Sequence, residues 1–166
     1  MRMFSPLVSL AMLAGCNDAK TPGPVYDASL TPPPSLSASP SPAPRLVIEP
    51  ITQAYAEAHD LMGVGCTFST VASKDNDWLV QTSDGDAHFR TGGALVHLTA
   101  PVKSGEAYEL ARARYDSDRF SLHITRGPGK ERVLGEEYTE QDGSVSIRDK
   151  AGAELYRAKG TFGCGA

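Results

Sequence analysis

The sequence predicts a mainly β domain, a small antiparallel barrel or sandwich carrying one short N-terminal helix. Two observations predict the sheet: beyond Gly65 apolar and polar residues alternate with the period of a strand, and turn-forming residues interrupt that alternation about every ten residues. A third predicts the helix. Ile51, Ala54, Tyr55, Ala58, Leu61 and Met62 recur at helical spacing, with Glu49 and Pro50 suited to a first turn and Gly63 to a stop.

The strand signals follow in order. Cys66 and Phe68 alternate with polar neighbours, and Trp78-Leu79-Val80 forms a short apolar run. The runs 87–90 and 94–98 are split by Thr91-Gly92-Gly93, a hairpin signal. Residues 106–115, with Tyr108, Leu110 and Ala113, fit a strand or a helix, and the strand is preferred. Phe120, Leu122 and Ile124 then alternate with Ser121, His123 and Thr125, and Val145 and Ile147 with Ser144, Ser146 and Arg148. A last strand is expected over 153–162. Turns are expected at Asp84-Gly85, Asp116-Ser117-Asp118, Gly127-Pro128-Gly129, Asp142-Gly143 and Ala151-Gly152.

The N-terminal third reads differently. Residues 21–46 hold eight of the chain's 12 prolines, spaced mostly by Ser, Ala and Thr, with almost no charge and too few large apolar residues to make a core. This is a linker. Extended at about 3.1 Å per residue, it would reach roughly 80 Å. Before it, Arg2 precedes an apolar stretch from Leu7 to Leu13, too short for a membrane-spanning helix of about 20 residues, which ends in small residues as a cleavable export signal does.

Leu13-Ala14-Gly15-Cys16 resembles the lipobox of bacterial lipoproteins. The resemblance implies a signal peptide over 1–15, cleavage before Cys16, and a diacylglyceryl group on the Cys16 thiol, usually with a further acyl chain such as palmitate on the new amino terminus. Two or more chains give stable anchoring to a membrane surface that the protein does not cross. The expected organisation is therefore signal peptide (1–15), lipidated N-terminus and disordered linker (16–46), and β domain (47–166). The implied address is the bacterial cell envelope, facing the periplasm. Asn17 stands where an aspartate would mark inner-membrane retention in some bacteria, which favours the outer membrane slightly.

With Cys16 lipidated, Cys66 and Cys164 remain, an even pair in a compartment that permits disulfides. A bridge between them would fasten the start of the domain to its end; two free buried thiols are the alternative.

Catalytic and metal chemistry find little to build on. No Gly-x-Ser-x-Gly elbow is present, and Gly127-Pro128-Gly129-Lys130 lacks the first glycine of a phosphate loop because position 124 is Ile. His59, His88, His97 and His123 lack metal-site spacing. His88, His97 and His123 lie within expected strands and nearby Asp86 could orient one of them; an enzyme built on His88 and Asp86 needs those side chains to converge in a pocket. The pairs Asp75/Asp77, Asp84/Asp86 and Asp116/Asp118 lack the glycine and distal glutamate of an EF-hand and suit turns. No enzyme, cofactor or metal is expected. A formal charge of -4 argues against a nucleic-acid partner.

Ser104-Gly105-Glu106-Ala107-Tyr108, following Ala94-Leu95-Val96-His97-Leu98, resembles the membrane-bound c-type lysozyme inhibitors, small periplasmic lipoproteins with an antiparallel barrel and cysteines near both ends of the domain. In that family a Ser-Gly-x-x-Tyr loop enters the lysozyme cleft, which would make Ser104, Gly105 and Tyr108 binding residues. The family's second motif, an aromatic pair followed by Lys-Gly, is only approximated by Arg126-Gly127. From Val47 onward 13 Lys and Arg face 18 Asp and Glu, an acidic balance complementary to a cationic lysozyme. Two expectations result: a lipid-anchored domain that acts by non-catalytic binding to an envelope protein or the cell wall, and, as the alternative, a periplasmic lysozyme inhibitor.

Overall fold

A computed structural model describes residues 45–73 and 76–165. The expected signal peptide, Cys16 and nearly all of the expected linker lie outside those residues. Eleven strands and one helix follow along the chain: α1 Gln53–Ala58, β1 Gly65–Ser69, β2 Val80–Thr82, β3 Asp86–Thr91, β4 Ala94–Thr99, β5 Glu106–Tyr108, β6 Ala111–Arg112, β7 Arg114–Asp116, β8 Phe120–Arg126, β9 Arg132–Val133, β10 Tyr138–Asp149 and β11 Glu154–Gly165.

Eight of the strands close an antiparallel barrel, in the order β11-β1-β2-β3-β4-β7-β8-β10 and back to β11. Each strand pairs with its predecessor in the chain once the β5-β6 hairpin and the short β9 are set aside, so the barrel is an up-and-down meander. The sequence left barrel and sandwich open; the pairing of β10 with β11 and of β11 with β1 decides for the barrel.

Alternation fills the interior. Phe68, Val80, Phe89, Leu98, Tyr115, Leu122, Val145, Ile147 and Phe162 all point inward and are essentially inaccessible to water. Aromatic pairs fill the interior: Phe68 lies 4.9 Å from its cross-strand partner Phe162 in the β1-β11 ladder, and Phe89 of β3 meets Phe120 of β8 edge-on at 5.6 Å. Closure leaves the eight barrel strands with few free edges, which is how a small sheet protein avoids edge-to-edge association.

Both ends of the barrel are covered. At one, residues 46–51 run across the rim: Leu46 N donates to Leu155 O at 2.9 Å, Glu49 bridges to Arg90 and Ile51 to Trp78. Ile48 packs against the barrel core. A satellite cluster of Ile51, Ala56, Leu61 and Trp78 fixes α1 to the wall. The helix is shorter than its apolar spacing predicts. Ile51 is taken by its bridge to Trp78, so Thr52 becomes the cap, its hydroxyl accepting from Tyr55 N, and Asp60 in a left-handed conformation (φ 54°) ends the turn before Met62.

At the other end the β5-β6 hairpin folds over the opening. Tyr108 packs on Phe162 with ring centroids 4.6 Å apart, and its hydroxyl donates to Asp142 O at 3.0 Å. Asp142-Gly143, expected as a turn, lies inside β10 instead. A Cβ at position 143 would collide with the Tyr108 hydroxyl and with the Phe162 ring. Gly143 is therefore a seat for an aromatic side chain rather than a turn residue.

Cys66 and Cys164 are direct partners in the β1-β11 register, with sulfurs 2.08 Å apart and Cα atoms 4.0 Å apart, joined as a disulfide. The bridge crosses the seam where the first and last barrel strands meet.

Candidate functional site

The segment singled out by the Ser-Gly-x-x-Tyr spacing divides into two parts with different roles. Residues 101–105 connect β4 to the hairpin. Ser104 N donates to Pro101 O at 2.8 Å, closing a tight turn. The Ser104 hydroxyl accepts from Arg114 N at 2.9 Å and donates to Arg114 O at 3.0 Å, and Ala113 N donates to Gly105 O at 2.7 Å. Two backbone groups of β7 thus hold the turn from one side chain. At its tip Val102 is fully exposed, beside exposed Lys103. The result is a fixed apolar point flanked by a cation at one end of the barrel.

Tyr108 belongs to the other part. Only 5% of it is exposed, and it serves as the plug just described. Burial pushes its hydroxyl up to about 12, against the opposing pull of Arg126, whose guanidinium lies 5.5 Å above the ring. The side chain expected to enter a partner's cleft is therefore engaged inside the barrel. Sequence spacing finds the Ser104 turn and misses Val102 and Lys103, the residues it presents; a valine between a proline and a lysine carries no signal of exposure.

The hairpin is clasped to the barrel by polar contacts. The Tyr115 hydroxyl accepts from Arg112 N at 2.7 Å and donates to Ser83 O at 2.6 Å. Arg112 pairs with Asp84 at 2.5 Å and reaches Glu106 at 3.6 Å. Through these contacts β6 is tied to the β2-β3 turn.

His88 and His97 are partners across β3 and β4 on the outer wall, their rings stacked at 4.9 Å. Asp86 turns to His97, whose Nε2 donates to Asp86 Oδ1 at 2.6 Å, and both side chains are about half exposed. Burial and the neighbouring His97 hold His88 below the usual imidazole range, with Asp86 opposing. His88 and Asp86 do share a shallow depression with Met62 and Val64, yet the hydrogen bond that would orient a catalytic base runs to the other histidine. His59 stacks on Tyr55 at 3.9 Å, at the end of α1. Among the described residues no group of three His, Cys, Asp or Glu side chains could hold a metal ion.

The fold and these surfaces define a class: a closed, side-chain-filled meander barrel, disulfide-joined, with a presented turn at one end. No family model matches the chain, and no curated protein or solved structure matches it.

Proposed function

We propose that the protein is a lipid-anchored lipoprotein of the bacterial cell envelope, held through Cys16 on the periplasmic side, whose barrel acts by binding a partner without catalysing a reaction. The observation that carries the binding reading is the filled interior. Phe68, Phe89, Phe162, Tyr108 and Tyr115 occupy the space in which a wider barrel would hold a ligand, so a partner must be met on the outer wall or at the rims. A joined cysteine pair suits an oxidising compartment, which supports the export half of the proposal.

The anchor is tested by labelling cells with palmitate: the intact chain takes up label and fractionates with membranes, whereas Cys16→Ser takes up none. Label retained by the Cys16→Ser chain would overturn the lipobox reading.

Inhibition of a c-type lysozyme is a second reading, favoured by the rigid turn at 101–105 and by the acidic balance of the domain. In this reading the turn enters the cleft through Val102 and Lys103, while Tyr108 supports it from inside. A rigid loop loses little entropy on binding, so a charge at its apolar tip should act directly on affinity. Val102→Asp should weaken inhibition by roughly tenfold or more, as for a contact worth more than 1 kcal/mol, with the melting temperature unchanged. If the oxidised wild-type barrel leaves lysozyme activity untouched at a large excess, this reading fails and the partner is to be sought by crosslinking in cells.

A further inference from the structure

The strands β7, β8 and β10 are neighbours in the barrel wall, and the alternation that sends Tyr115, Leu122 and Ile147 inward sends a polar set outward. Register aligns that set in two rows. Arg114 faces His123, which faces Ser146; Asp116 faces Ser121, which faces Arg148. Arg114, His123, Asp116, Ser121 and Arg148, with Asp149 and Lys150, line a depression of about 320 Å³.

The cations Arg114, Arg148 and Lys150 outnumber the two carboxylates of this depression, and Glu154, across from Arg148 on β11, is bound by Arg157. Asp116 is engaged by Arg114, whose Nε donates to its Oδ1 at 2.9 Å. The Asp149 carboxylate accepts from Ala153 N at 2.9 Å and is used to shape the β10-β11 turn. Arg148 and Lys150 make no ion pair among the described residues. Arg148 Nε is buried and, among those residues, has no hydrogen-bond acceptor. With its Nε enclosed and no ion pair among the described residues, Arg148 carries a charge that the fold leaves uncompensated and that an anion in the depression would balance.

We propose that this outer-wall depression binds an oxyanion, a phosphate or carboxylate group carried on a polar ligand no larger than a sugar ring. Arg148 would supply the planar fork that recognises such a group, with Lys150, Ser121 and the Arg114 Nη nitrogens, which have no hydrogen-bond partner among the described residues, completing its surroundings. The volume exceeds that of a bare phosphate and lies at the lower end of small-ligand sites. His123 sits among these cations as a reporter. Burial, and then Arg114 and Arg148, hold it below the usual imidazole range against the opposing Asp116, so a bound anion should raise it. This inference goes beyond the binding-module proposal, since it uses neither the anchor nor the turn at 101–105. One chemistry has two sources, an acidic saccharide or the phosphate of a lipid headgroup.

The test uses the full chain in a zwitterionic detergent, with His123 followed by NMR while inorganic phosphate, glucose 6-phosphate or glycerol 3-phosphate is titrated in. The expected result is a saturable shift at His123, a rise in its titration midpoint, and no movement of His88 or His97. Tighter binding of glucose 6-phosphate than of glycerol 3-phosphate marks the saccharide source, and the reverse order marks the headgroup. Arg148→Gln should weaken binding roughly tenfold or more, the loss expected of a charge-assisted hydrogen bond. Lys150→Gln, at an exposed turn position, provides a second variant that leaves packing alone and should weaken binding severalfold. The proposal is overturned if none of the three probes moves His123 saturably, or if both variants bind phosphate as the wild type does.

Discussion

Replacing Tyr108 by alanine is expected to destabilise the protein by about 3–5 kcal/mol, the range for deleting a large buried aromatic side chain. The ring fills the barrel end between Phe162 and Arg126, and its hydroxyl reaches Asp142 O. Gly143 cannot move in to fill the space, because its strand is fixed between β8 and β11. For a domain of this size the loss corresponds to a fall in melting temperature of roughly 15 °C, measurable by thermal unfolding. Tyr108→Phe should cost only about 1 kcal/mol, the net worth of one hydrogen bond.

A pH dependence accompanies the same residue. Tyr108 ionises near 10 in an unfolded chain and at about 12 in the barrel, so the fold favours the neutral hydroxyl. That contribution is complete below about pH 10 and is lost as pH rises from about 10 to 12. Tyr108→Phe should flatten this part of the stability profile. A Tyr108→Ala chain with wild-type stability and abolished partner binding would instead place the ring on the surface, contrary to its role as a plug.

The second large effect is at the disulfide. Cys66→Ala with Cys164→Ala, or reduction of the wild type, should cost about 2–5 kcal/mol, because the bridge joins residues 98 positions apart and restricts the unfolded chain accordingly. Denaturant unfolding with and without reductant measures it. The bridge sits next to Phe162, on which Tyr108 packs, so the two losses are expected to couple rather than add. Equal midpoints for oxidised and reduced protein would show that the β1-β11 ladder alone holds the seam.

The barrel strands were legible because their signal is local. Phe120, Leu122 and Ile124 alternate with polar residues whatever the rest of the chain does, and Gly92-Gly93, both at positive φ, suffice for a hairpin. Asp142-Gly143 misleads for the opposite reason. Its glycine answers to Tyr108, a residue 35 positions earlier, and no local rule contains that contact. Tyr108 itself was legible as a special residue and illegible as a plug, since spacing cannot tell a ring that leaves the barrel from one that closes it. The outer-wall depression was hidden more deeply. Alternation places Arg114, His123 and Arg148 on the outside, but only the register of three strands brings them together, and register is a property of the closed sheet.

One seam of the barrel is much thinner than the others. β4 and β7 meet at a single residue pair, Thr99 with Asp116, whereas β10 and β11 are paired along nearly their whole length. Amide hydrogens near that junction should therefore exchange with solvent through a local opening far less costly than global unfolding, while those of β10 and β11 exchange only with the whole barrel. Arg112, reaching from the hairpin to Asp84, acts as the latch on that opening. The barrel is then a curled ribbon welded along one seam and buttoned along another, and the button is where a local opening is expected to begin.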